Sequence, residues 1–228
     1  MCNKACIDFG RAHLKKEDVL GRSVIEVGSL DVNGSIRKVV EPLGPASYIG
    51  VDIQEGPGVD RVCKVEDLIN VFGLGRFDIV ICTELLEHVP DWAYAVHNLK
   101  QIMKPGGMLL ITTRSLGCTY HGYPFDFWRY GSSDMQRIFS DLTIEINAKD
   151  PEQPGVFLLA RKGPDFREND LHGHKLYSIV VNEAATIRKN RIYWTIIYLP
   201  LYIISRRPSA SLKITAMIAS IVKAVFRV

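Results

Sequence analysis

Cysteine is scarce and odd in number. Five residues (Cys2, Cys6, Cys63, Cys82 and Cys118) are scattered along 228 positions. That argues against a disulfide framework and for a reducing compartment, so a cytoplasmic location is expected. Cys2 and Cys6 lack a companion pair at zinc-ligand spacing, and no other metal-ligating cluster is evident, so no metal is expected. No apolar leader opens the chain, which carries Asp8 early, and no secretion signal is expected. The apolar run at 192–204 is about thirteen residues and is interrupted by Pro200, short of the ~20 needed to span a bilayer. Acidic side chains are absent after Glu183, while eight of the 28 basic residues lie there. An acidic body therefore precedes a basic, apolar tail. The spacing G-x-G-x-x-G is missing as well, which weakens a dinucleotide-binding reading.

What is present is an alternation of apolar strands and helical segments. Strands are expected at about 24–27, 47–51, 60–63, 77–82, 107–113, 142–147 and 156–161, and helices at 34–41, 66–72, 91–103 and 132–140, after a helical lead-in over 1–20. This pattern predicts a largely parallel sheet with helices on both faces. Pro151, Pro154 and Gly155 between the last two strands suit a hairpin-like, antiparallel ending. The organising stretch is Val24 to Gly34, where a strand breaks into a loop with Gly28 and Gly34 ahead of a helix. Glycine there permits close backbone approach to a ligand. Asp52 ends the second strand, where an acid can accept from both hydroxyls of a ribose. Ligands of such sheets bind at the carboxyl ends of the strands, so the residues just after each strand are the informative ones.

Four segments in order carry a resemblance. The stretch Glu26-Val-Gly-Ser-Leu-Asp-Val-Asn-Gly34 resembles the first motif of class I S-adenosylmethionine-dependent methyltransferases, closest to the methyltransferase type 11 branch. Residues 50–60, 77–89 and 99–113 resemble that branch's second, fourth and fifth strands. The resemblance covers roughly residues 20 to 162. It implies a Rossmann-like α/β fold with seven strands, the last antiparallel, in a domain over 1–162 followed by a helical extension over 163–228. It also implies S-adenosylmethionine as cofactor. On it, Gly28, Ser29 and Gly34 approach the methionine moiety. Glu26 contacts its ammonium directly or through water, or else caps nearby backbone amides. Asp52 holds the ribose and Ile53 lies on the adenine. Asp67, with Leu68, stands where the family often receives the adenine amino group, and Thr83 and Glu84 end the fourth strand near the sulfonium. In the E-H-V turn at 87–89, His88 is a wall residue or a candidate catalytic group.

The aromatic segment 117–130 resembles the branch's H-x-x-P-x-D-x-W-R stretch. Tyr120, Tyr123, Asp126, Trp128 and Arg129 are the candidate substrate contacts, and His121 the candidate base for a hydroxyl acceptor. A plainer reading packs this loop as a lid with Asp126 and Arg129 paired. The implied activity is methyl transfer, to oxygen, on a small-molecule, lipid-like or glycan acceptor. The alternatives are an NAD-dependent oxidoreductase and a membrane-associated partner without turnover. No N-P-P-Y motif for base amines is present, and nucleic acid is ranked low. Residues 163–190 read as a linker or surface helix, and the final segment as an amphipathic basic helix. Two uses compete for residues 184–228: packing on the domain or in a homodimer interface, and a peripheral anchor on an anionic membrane surface.

Overall fold

The computed structural model describes residues 3–121 and 125–198. Helices α1 (Lys4–His13) and α2 (Lys16–Val19) lead into β1 (Ser23–Val27). There follow α3 (Arg37–Val40), β2 (Ser47–Asp52), β3 (Arg61–Val62), α4 (Leu68–Phe72), β4 (Phe77–Thr83), α5 (Trp92–Ile102) and β5 (Met103–Arg114). The chain continues through β6 (Trp128–Arg129), α6 (Ser132–Ile138), β7 (Thr143–Lys149) and β8 (Gly155–Arg161). It then runs through β9 (Leu176–Ser178), β10 (Glu183–Ala185) and α7 (Ile187–Tyr193).

Seven strands form one sheet in the order β3-β2-β1-β4-β5-β8-β7. The pairings from β3 through to β5 are parallel, and β8 runs antiparallel to both its neighbours. The expected Rossmann-like sheet is therefore present. Its central strands β1, β4 and β5 are buried along most of their length, as parallel strands covered on two faces must be. Two apolar layers follow from this. One lies against α5 and α6 and includes Trp92, Leu99 and Met135; the other lies under α1 and includes Phe9, Ile36 and Phe157. Asn3 caps α1 through a bond from the Cys6 amide at 2.9 Å, so Cys6 is carried into the second layer.

The first helix after the glycine loop is shorter than expected. Only Arg37–Val40 is α-helical, and Glu41–Leu43 tightens into a 3-10 turn ending at Gly44 in the left-handed region. The larger departure is in the extension. Residues 163–190 supply β9 and β10 rather than a linker or surface helix, and with β6 they build a three-stranded antiparallel sheet, β10-β9-β6. Trp194 then packs edge-on against Phe125, with ring centroids 5.0 Å apart. The helical part begins only at Ile187. The amphipathic final segment lies outside the described residues. Among the described residues no helix is long and apolar enough to cross a membrane.

Candidate functional site

The carboxyl ends of β1, β2 and β4 open onto a cavity of about 320 Å³, within the range of small-molecule clefts. Its walls are mostly apolar, with Val27, Leu30, Ile53, Val65, Leu85 and Phe125 among them, and Asp52, Glu66, Glu84 and His88 supply polar atoms. The β1 loop is drawn over the end of β2. The amides of Gly28 and Ser29 both donate to the Val51 carbonyl, at 2.8 and 3.1 Å. Gly28 has φ +85°, and a Cβ on it would meet Leu85 of the cavity wall at 3.2 Å. The left-handed backbone favours glycine there, and a side chain would also crowd Leu85. Asp52 stands beside this turn. Its Oδ1 accepts from the Gln54 amide at 3.1 Å, and the residue lines the cavity.

Of the residues singled out in the sequence, Gly28, Asp52, Ile53, Glu84 and His88 meet at this cavity. The cavity lining does not include Ser29, Gly34, Asp67, Leu68 or Thr83. Ser29, Leu68 and Thr83 are buried, and the Gly34 amide closes the loop on Asp31 Oδ1 at 2.9 Å. Val65–Asp67 is a 3-10 turn, whose tighter winding presents Glu66, not Asp67, to the cavity. Glu84 has φ +54°, an uncommon conformation for a residue with a side chain. It forms a buried ion pair with Arg114, which also reaches Asp150 at 3.3 Å. Burial and the neighbouring Glu87 carboxylate push the Glu84 pKa up against the pull of Arg114.

Glu26 lies outside the lining too. Its carboxylate accepts a hydrogen bond from the Tyr48 hydroxyl at 2.6 Å, a partner that neither sequence reading named. Burial pushes its pKa up to about 7, against the Tyr48 bond and the Arg37 charge. The folded value exceeds the unfolded one, so the fold prefers the protonated acid. That stability is complete below about pH 4.5 and is lost as pH rises to about 7, a loss of up to about 3 kcal/mol. Glu26→Gln is expected to remove this part of the pH slope and to be the more stable protein at pH 8. Urea unfolding of both proteins at pH 5 and pH 8 checks it; parallel slopes would refute the assignment.

The segment after β5 knits onto the turn after β4. The Phe127 amide donates to the Glu87 carbonyl at 2.8 Å, the Tyr130 hydroxyl to the Leu86 carbonyl at 3.1 Å, and the Trp128 indole to the Val89 carbonyl at 3.0 Å. Asp126, Trp128 and Arg129, the expected substrate contacts, are buried and are not part of the cavity lining. Arg129 grips Asp126 with both terminal nitrogens, as the lid reading anticipated. Burial alone raises the Asp126 pKa, but the bonds from Arg129 and His121 hold it well below the usual carboxylate range. Tyr120 is 41% exposed at the surface, and Tyr123 lies outside the described residues. Among the described residues of this segment, Phe125 is the one that reaches the cavity; it is one of many aromatics in the stretch and not distinguishable there by type.

His88 and His121 lie together, their rings edge to face with centroids 4.7 Å apart and Nε2 atoms 3.2 Å apart. Burial lowers the His88 pKa, whereas the bond to Asp126 raises that of His121.

A mostly parallel sheet with one late antiparallel strand, and a glycine turn and an acid at its carboxyl edge, define a nucleotide-type α/β domain. A family profile described as "Methyltransferase domain" matches residues 5–145. The chain belongs to that family. Among curated relatives it is similar to the "Ubiquinone biosynthesis O-methyltransferase" of Azotobacter vinelandii, with 33% identity over 106 residues, covering 41% of this chain and 44% of the relative. The protein of the same name from Xanthomonas oryzae pv. oryzae is 35% identical over 107 residues, covering 47% and 41% respectively. The chain thus spans under half the length of these relatives. Its fold resembles that of 1,6-didemethyltoxoflavin-N1-methyltransferase from Burkholderia thailandensis, with TM-score 0.55, 16% identity, and coverage of 70% of this chain and 79% of that one. It is equally close in fold to an S-adenosylmethionine-dependent methyltransferase from Mesorhizobium loti, with TM-score 0.55, 18% identity, and coverage of 70% and 99%.

Proposed function

We propose that the protein is an S-adenosylmethionine-dependent methyltransferase acting on a hydroxyl oxygen of a small-molecule, lipid-like or glycan acceptor. The observation that carries this reading is Asp52, held at the end of β2 beside the Gly28 turn on a mostly apolar cavity. A carboxylate there suits the two hydroxyls of a ribose. The missing Cβ at Gly28 lets the loop backbone approach a ligand closely. Ile53 and Val65 offer apolar surface to an adenine. When bound, S-adenosylmethionine supplies a methyl group already activated on a sulfonium, so positioning provides much of the rate. Leu85 and Phe125 wall the cavity against water, and His88 brings an imidazole to its lining. The printed names of the curated relatives favour oxygen over nitrogen or carbon.

The test is formation of S-adenosylhomocysteine, followed by mass spectrometry, across a panel of phenols, polyprenyl phenols and glycans. Turnover with hydroxyl acceptors and a new O-methyl product is the expected result. Products methylated at nitrogen or carbon alone would overturn the oxygen assignment, and failure of the folded protein to bind the cofactor would overturn the whole reading.

A further inference from the structure

Glu87, His88 and His121 bring three ligand atoms within 4.8 Å of one another where the 3-10 turn after β4 meets the segment after β5. We propose that these three side chains bind one divalent first-row transition-metal cation in a two-histidine, one-carboxylate arrangement.

The proton positions come first. His88 Nδ1 lies against the Phe125 carbonyl. A carbonyl only accepts, so Nδ1 carries the hydrogen, and in the neutral ring Nε2 carries the lone pair. His121 Nδ1 is 3.1 Å from Asp126 Oδ2 and 3.3 Å from the Thr119 carbonyl, both acceptors. Its Nε2 therefore holds the lone pair as well. Two neutral rings thus point lone pairs at each other across 3.2 Å, an arrangement that calls for a shared proton or a cation.

Glu87 favours the cation. Its side chain is completely buried. Oε2 accepts from the Thr113 hydroxyl at 2.8 Å, but Oε1 has no hydrogen-bond partner. That oxygen is 3.9 Å from Nε2 of each histidine. A proton shared between the rings would leave Oε1 buried and unsatisfied, which is costly in the interior. A cation between the three atoms satisfies all of them. Two ligands at ~2.1 Å from a metal, about 100° apart, are separated by roughly the distance observed between the Nε2 atoms.

The surrounding contacts fit the same reading. Metal-bound histidines commonly donate the other ring N–H to a carbonyl or carboxylate, here Phe125 and Asp126. Asp126 is itself fixed by Arg129. Imidazole nitrogens favour zinc, iron, cobalt or manganese over magnesium and calcium, which prefer oxygen throughout. Three protein ligands leave coordination positions open, and His88 lines the cavity. Resting on the proposed methyl transfer, an acceptor hydroxyl would bind through an open position and release its proton to water. Its oxygen would then form the C–O bond as the C–S bond breaks, with sulfur keeping the electron pair. The sequence shows no spacing signature for this site, because Glu87-His88 and His121 are brought together only by folding. The expectation of no metal is replaced by this proposal.

The test uses the full chain, treated with chelator and titrated with Co(II) by absorption and with Zn(II) by calorimetry, beside Glu87→Gln and His121→Ala. S-adenosylhomocysteine binding is measured in parallel as a separate readout. One equivalent of metal is expected, weakened at least tenfold in each variant, with S-adenosylhomocysteine binding within about twofold of wild type. No stoichiometric binding by folded protein, or equal binding by the variants, overturns the site. If Glu87→Gln does not fold, His121→Ala decides, since that side chain is 29% exposed. Metal binding without cofactor binding would leave the site standing and remove the methyltransferase reading.

Discussion

Replacing Asp52 by alanine is expected to weaken S-adenosylmethionine binding by about 2–3 kcal/mol, on the order of 30- to 150-fold, through the loss of charge-assisted bonds to two hydroxyls. The expected effect on stability is small. Asp52 is only partly buried, and its contacts within the chain are bonds from the amides of Gln54 and, at 3.4 Å, Leu30. Calorimetric titration with S-adenosylmethionine and S-adenosylhomocysteine, next to urea unfolding, separates the two effects. Asp52→Asn retains shape without charge and is expected to fall between wild type and alanine. An unchanged dissociation constant in the alanine variant would take the ribose away from the end of β2.

The largest stability effect is expected at Lys100, far from the cavity. This lysine on α5 is completely buried. Its ammonium donates to the Ile138 carbonyl and Asp141 Oδ2, both at 2.7 Å, and to Asn169 Oδ1 at 3.3 Å. Burial lowers its pKa and Asp141 opposes that shift. Lys100→Met would leave the Asp141 carboxylate buried without its cation, and a loss of about 3–5 kcal/mol is expected. The double variant Lys100→Met, Asp141→Leu is expected to recover much of it, because the orphaned charge and not the lost attraction is the main cost. Denaturant unfolding of the three proteins decides the matter. A single-variant loss below about 1 kcal/mol would mean that water reaches Asp141 freely.

The cavity at the ends of β1 and β2 was legible because its parts are local. Gly28 and Asp52 sit at the ends of their strands, and a glycine or an acid in that position carries meaning by itself. The placement of Glu66 instead of Asp67 turned on a single 3-10 turn, which shifts the register by one residue and leaves no mark in composition. Glu26 was recognised as buried and in need of a partner, but Tyr48 stands on the neighbouring strand, and pairing across strands is not written in either segment. The segment after β5 was harder. Trp128–Arg129 is a strand of two residues, and Leu176–Ser178 one of three. Neither is long enough for alternation to declare itself. The aromatics at 120–130 pointed to packing, and only tertiary contacts distinguish Phe125 in the wall from Trp128 behind it.

The pairing of β6 with β9 has a kinetic meaning. It joins segments about as far apart in the chain as β1 and β4, so it is set apart by its late place in the chain and not by the length of the loop it closes. The helices and strands up to β5 have all emerged by Arg114. Arg129, which steadies Asp126 and through it His121, gains its strand partner only when the chain has emerged as far as Tyr177. During synthesis the cofactor half therefore takes shape first, and the histidine pair is among the last features to come to rest.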